Sequence, residues 1–438
     1  MKFKYIILST LTVAILSGST SCDKSFVNPN AATKDQVLQS ASGLMGMVVG
    51  LKQQWSVGAT SALYASVVTN GLTTAELRVL NTGNGDLAAL EAGKGTLGAN
   101  NVVLNSLFTS CNLTKVNAQL LIDNAKNVPD AGTSAGIQAY GYFFKALAIG
   151  TMSQFWEQVP VETITAADYL AGKRVSFIPR AAALTEAINL LKSADILLKA
   201  TPISATFTGK VGGDINLTHT LQALIARYSL MAGKLDDAAT AAGLVSPTVI
   251  SAFKYDAINT NPVFTSGLSS NNVVGGNVNF GLTTAALKPD STDGRLPFYL
   301  GGTTLSKATG FFKTTTDQIP VYLPSEMVLI KAEVLARQNK LPEAVIELNK
   351  IRQKTADPLG VTAKGTAYSG AITQADILLE IYRQRSIELY MSNMKLEDSR
   401  RFGRPAPTEV GSERNRNFYP YPSSERDNNI NTPADPAI

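Results

Sequence analysis

The chain has 438 residues, 45% of them hydrophobic, 17% charged and 7% aromatic, with a formal net charge of +5. Such a mild balance excludes a dedicated nucleic-acid binder or a partner chosen by strong acidity. Two cysteines and one histidine exclude a disulfide scaffold and a histidine-rich metal site, so stability has to come from a large apolar core.

The first segment sets the compartment. Lys2 and Lys4 precede an apolar run from Tyr5 to Leu16, and the small residues Ser17 to Ser21 lead to Cys22. This is the layout of a secretory signal. Its apolar run is well short of the roughly twenty residues that span a bilayer. Small residues directly before a cysteine resemble a bacterial lipobox, which implies that residues 1–21 are removed and that Cys22 is lipidated. Serine stands at position 19 where many lipoboxes have leucine; the alternative is an ordinary signal peptide with an incidental cysteine. Removing residues 1–21 takes away two lysines and no acid, so +5 becomes +3. Cys111 then has no partner for an internal disulfide, despite an oxidising export route. No later stretch is apolar and long enough to span a membrane.

Residues 22–36 are polar and read as a tether between lipid and fold, and residues 37–438 as one domain. Helical spacing of Leu38, Leu44, Met47, Val48 and Leu51 predicts a helix over 37–54. Further helices are expected over 62–70, 104–124 and 135–155, with a Gly- and Asn-rich loop over 81–100. Residues 245–320 lack sustained helical periodicity and read as a loop-rich insert with a few short strands, a length often functional in a compact protein. The tail, 404–438, is irregular and carries six prolines.

Residues 221–242 and 327–348 share a pattern. Each has an alanine, Ala226 or Ala332, and another twelve positions later, Ala238 or Ala344. Between them stand Gly233-Lys234-Leu235 and Asn339-Lys340-Leu341. Glycine and asparagine tolerate a left-handed helix end, so each segment predicts helix, tight turn and antiparallel helix. This is the chemistry of tetratricopeptide repeats, whose helix pairs bury their apolar faces by stacking on neighbours. An accidental helical hairpin is the competing reading.

Further on, Tyr322 to Glu326 leads into the second hairpin, followed by Ile381 to Leu389, Asp398 to Gly403 and Asn417 to Pro422. This succession resembles the RagB/SusD family of Bacteroidetes outer-membrane lipoproteins, as do residues 135–161 and the 221–242 hairpin. Gln384 replaces the family's usual glutamate, Ser392-Asn393 its Glu-Gly, and Lys395 its arginine. Asn393 still suits a positive φ. The resemblance implies an all-α fold of tetratricopeptide-like helix pairs scaffolding long irregular loops. It also implies a surface-exposed, lipid-anchored binder of oligosaccharide or peptide that delivers its ligand to a SusC-type TonB-dependent transporter, with no catalysis and no cofactor.

Arg385, Glu388, Asp398 and Arg401 match the family pattern. Arg385 and Glu388, three apart on a helix, can face one another. The four are read as a structural ion-pair cluster, with a catalytic carboxylate pair as the sharper alternative. His219 is read as a surface or capping residue, and no Gly-x-Ser-x-Gly elbow accompanies it. Sugars are gripped by aromatic faces and planar hydrogen-bonding side chains. Trp156 is assigned to the core. Trp55, Glu76 and Arg78 are the candidate ligand contacts, with a core role for Trp55 as the alternative. Two other classes stay open: a lipid-anchored glycoside hydrolase, which needs two carboxylates in one cleft, and a tetratricopeptide scaffold that binds only proteins.

Overall fold

The structure is a computed structural model that describes residues 33–270, 273–301 and 307–438. The signal segment, Cys22 and the tether up to residue 32 lie outside the described residues. The last tether positions are already ordered: Thr33 caps a short helix, α1 (Lys34–Leu38), through a reciprocal box with Gln36.

Periodicity located most of the helices that follow. Ser40 starts α2 (Ala41–Ser56) by accepting the Gly43 N–H, so the stretch expected as one helix is two. Helix α3 (Ala62–Thr73) is buried on every side. Residues 81–100 hold a helix where a loop was expected, α4 (Gly85–Ala92). Between the flanking glycines lies a run of helix formers, and Leu87 and Leu90 are drawn into the core. Helices α5 (Val102–Asn124) and α6 (Ala131–Phe155) pack side by side, followed by the short α7 (Ala166–Leu170). Beyond the expected set come α8 (Arg180–Ala200), which packs on α6, and α9 (Ala205–Val211).

The two repeat-like hairpins form as expected: α10 (Leu217–Met231) with α11 (Leu235–Gly243), and, beyond the short insert helix α12 (Leu296–Tyr299), α13 (Pro324–Arg337) with α14 (Leu341–Arg352). Gly233 and Asn339 sit at φ 73° and 58°. At each turn the next lysine N–H closes back on the helix, Lys234 to Ser229 O at 2.8 Å and Lys340 to Leu335 O at 2.9 Å. That is the same six-residue closure twice. Ala226, Ala238, Ala332 and Ala344 have no exposed surface, which lets the paired helices approach closely. Helix α8 packs on α10, α11 on α13, and α13 on α15 (Gln374–Glu388), so successive pairs stack into one helical scaffold. Helices α16 (Lys395–Arg401) and α17 (Ser423–Asn428) complete the chain.

The strands are few and short. Antiparallel pairs join β1 (Leu77–Val79) to β5 (Val274–Gly276), β2 (Gln158–Val159) to β3 (Ile178–Pro179), β4 (Ala252–Phe253) to β8 (Ile319–Pro320), and β6 (Leu300–Gly301) to β7 (Lys307–Ala308). Five of these eight strands lie in the loop-rich insert: β4 pairs with β8 and β6 with β7 within it, and β5 pairs with β1 outside it, so its backbone is paired rather than left to water. The tail is fastened by aromatics. Trp156 is fully buried, donates to Pro420 O at 3.1 Å and meets Phe108 edge-on at 5.2 Å, while Tyr419 stacks on Phe155.

Candidate functional site

The described surface carries a groove of about 380 Å³ where three irregular stretches meet: the turn after α3 with the end of α4, the strand end at Asn277, and the tail over 407–415. The sequence pointed to the first two as ligand-facing, and the tail joins them. Asn277 builds the groove's inner edge. Its N–H donates to Glu76 O at 3.0 Å and its side-chain amide to Ala75 O at 2.8 Å. Asn415 builds the opposite edge by donating to Leu90 O and Glu91 O, the open carbonyls at the end of α4. Gly93 lets the chain pass there. Its φ is +58°, and a Cβ would fall 2.1 Å from Asn415 Cγ.

The groove's polar groups divide into fixed and unspent. Glu91 accepts the Val79 N–H at 3.1 Å, and Ser412 donates to Pro405 O and Arg414 O. Arg414 binds three backbone carbonyls and Asn417 Oδ1; burial and the nearby Arg400 charge pull its basicity down. Buried Glu413 takes the Tyr382 hydroxyl at 2.5 Å and the Thr283 N–H at 3.3 Å. Lys94 is exposed with no acceptor for its ammonium among the described residues, whereas the exposed Glu409 on the groove wall accepts the Ala406 N–H.

Of the three ligand contacts expected from sequence, only Arg78 is exposed. It is the middle residue of β1, strand alternation turns it away from the face on which Leu77 lines the groove, and its guanidinium has no partner among the described residues. Glu76 does not face outward. It is fully buried, accepting from Asn70 Nδ2 at 2.9 Å and from the Met391 N–H at 3.2 Å. Burial raises its carboxyl to about 7, against the opposing pull of Lys395. The reason is topological: Glu76 lies in the turn before β1, where Asn70 and the Met391 N–H hold its carboxylate inside, whereas Arg78 is the exposed middle residue of the strand. Trp55 is also inside, 4% exposed, on the wall of a separate interior cavity. Expectation missed Lys94, Glu91, Asn277 and the tail residues. The polar run from Glu409 to Arg416, hemmed by glycine and proline, was the available signal for the last of these.

The four-residue ion-pair cluster resolves into two. Arg385 forks onto Asp398 at 2.8 and 3.1 Å, and Arg401 bridges Asp398 at 2.7 Å and Glu333 at 2.8 and 2.9 Å. Glu333, absent from the expected set, is the hub, with Arg337 on it as well. Burial alone would raise its carboxyl; the Arg401, Arg385 and Arg337 charges outweigh burial and hold it at about 2. Glu388 does not pair with Arg385. It goes to Arg295 at 3.2 Å and to Lys354. Helical spacing put the two side chains on one face, but each is drawn to a different neighbouring element. Gln384 fits its departure from the family pattern: its oxygen accepts from Arg295 and its amide N–H donates to Glu380. His219 is half-buried, and its Nδ1 accepts the Ser246 N–H at 3.2 Å in the loop after α11. Among the described residues no group of three or more His, Cys, Asp or Glu is placed to hold a metal ion.

Comparison with known proteins bears on this geometry. The SusD family model matches residues 275–436, the stretch that closes the groove and carries both ion-pair clusters. Over that region the chain resembles the SusD family, and its fold is that of solved SusD superfamily structures. A SusD superfamily protein from Bacteroides thetaiotaomicron VPI-5482 superposes with a TM-score of 0.70 at 15% identity, over 91% of this chain and 100% of that one. A SusD-like carbohydrate binding protein from Bacteroides fragilis NCTC 9343 gives 0.66 at 12% identity, over 90% and 99%. A laminarin binding SusD-like protein gives 0.60 at 16% identity, over 91% and 99%. Among curated proteins none matches the chain.

Proposed function

We propose that this SusD-like chain is a lipid-anchored surface protein that binds oligosaccharide in the groove and delivers it to a SusC-type TonB-dependent transporter. The observation that carries the reading is the groove itself. Helix-pair faces are consumed in stacking, and the irregular segments they leave over converge on one concavity with Lys94 unspent on its wall and Arg78 exposed on the adjoining strand. A sugar offers dense hydroxyls to such groups, and the planar amides and carboxylates around them suit its in-plane hydrogen bonding. The names of two solved relatives, one binding carbohydrate and one laminarin, support the ligand class. Anchorage rests on Cys22, since no described helix is long and apolar enough to cross a membrane.

Calorimetric titration of the mature chain with neutral oligosaccharides and with peptides tests the ligand. Glycan binding that weakens about tenfold in Lys94→Ala, the worth of one charge-assisted hydrogen bond, is the expected result. Binding of peptides alone, or glycan binding indifferent to both Arg78→Ala and Lys94→Ala, would move the ligand elsewhere. Cys22→Ser should shift the protein from the membrane to the soluble fraction, and loss of co-purification with a barrel protein should follow.

A further inference from the structure

The interior cavity that holds Trp55 shares no lining residue with the groove. Its volume is about 80 Å³. At about 10–15 Å³ for each water-sized occupant, it admits roughly five to eight non-hydrogen atoms, fewer than a hexose. The walls are mainly apolar and aromatic, with Trp55, Phe253, Phe311 and Tyr322 among them.

Set into these walls are polar groups that the fold leaves unused. Thr151 and Gln154 are three apart on α6 and so share a face; they are 4% and 3% exposed. Gln154 Oε1 has no hydrogen-bond donor, nor has Oδ1 of Asn393, at the cavity's rim. Arg227, 8% exposed on α10, forks onto Glu326 through Nε at 2.8 Å and through one terminal nitrogen at 2.7 Å. Its other terminal nitrogen has no acceptor among the described residues. Buried amides without partners are rare in native proteins, because each forfeits its hydration. Here two such oxygens, Gln154 Oε1 and Asn393 Oδ1, line one pocket.

We infer that this cavity is a second binding site, for a small neutral molecule that carries a hydrogen-bond donor and an acceptor on a compact hydrocarbon body. Neutrality follows from the ion pair: Arg227 is already balanced by Glu326, so an added anion would find no counter-ion in a poorly solvated space. The donor answers the bare oxygens of Gln154 and Asn393, and the acceptor answers Arg227. An amide or lactam satisfies both ends with adjacent atoms, while its hydrocarbon body fills the aromatic wall.

Ligand-observed NMR on the mature chain, with γ-butyrolactam, isobutyrate and cyclopentane as probes of similar size, tests this. Butyrolactam should bind best, and Gln154→Met should weaken it about tenfold while leaving cyclopentane uptake unchanged. Because the Gln154 side-chain oxygen is unpaired, that variant should melt no lower than the native chain, so the comparison does not depend on a damaged fold. Val67→Phe, which fills the cavity, should abolish uptake of the lactam. Absence of butyrolactam binding, a preference for isobutyrate or cyclopentane, or an affinity untouched by Gln154→Met would each overturn the assignment. Glycan titration at the groove is independent of all these outcomes.

Discussion

Replacing Arg401 by alanine removes the main partner of Glu333, a carboxylate with no exposed surface. Two routes give the size of the effect. Breaking a buried ion pair from one side costs about 3–5 kcal/mol, because the remaining charge stays desolvated. Independently, the Glu333 carboxyl falls from 4.5 to about 2 on folding, two and a half pH units, which corresponds to about 3 kcal/mol. Arg337 and Arg385 remain near Glu333 in the variant, at 2.9 and 4.0 Å, so the lower end of the range is expected. The acid-titration profile should change with it. A folded pKa held below the unfolded one stabilises fully above about pH 4.5, and this stabilisation is lost as pH falls through about 2. Arg401→Ala should therefore lower the urea midpoint at pH 7 and shrink the loss of stability between pH 4.5 and 2. Titration of the same variant with glycan should give native affinity, since neither residue lines the groove. A native urea midpoint combined with lost glycan binding would refute the structural role and make the cluster part of the binding site.

Trp55→Ala should cost about 3–5 kcal/mol of stability, as for other buried tryptophans, and leave glycan affinity at the groove intact; denaturant melts and calorimetry on one sample decide it. Gly93→Ala forces a side chain against Asn415 at a left-handed backbone position, so it should weaken glycan binding more than tenfold by displacing the groove wall, with a smaller fall in melting temperature. Lys115 is buried on α5 and donates to Pro160 O; burial, with help from Lys145, lowers its ammonium to about 7. A lysine held below its unfolded value contributes stability that is present above about pH 10.4 and lost as pH falls through 7. Between those limits stability should climb by at most about 1.4 kcal/mol per pH unit from this group, and Lys115→Met should flatten that part of the curve in urea melts across the range.

The sequence by itself determined most of the helices and the pairing within the two hairpins. Residues spaced three and four apart carry their own periodicity. The alanines at 226, 238, 332 and 344 and the left-handed residues at 233 and 339 specify close hairpins from local chemistry alone. Arg385, Asp398 and Arg401 were legible as a cluster for the same reason: they sit in or beside helices with fixed spacing. Tertiary structure alone decided the groove and the cavity. Asn277 and Asn415 meet the α3–α4 region across 200 and more than 300 residues of chain, and no local pattern records such a meeting. It decided burial within a turn as well, sending Glu76 inward and Arg78 outward, and it placed Trp55 against the insert rather than in water. Glu333 became the hub of the ion pairs because α13 packs against α15 and brings a helix-borne carboxylate to three arginines. Side-chain chemistry is written along the chain, but the partner that gives a buried charge or a surface amide its role is fixed only when distant segments are brought into contact.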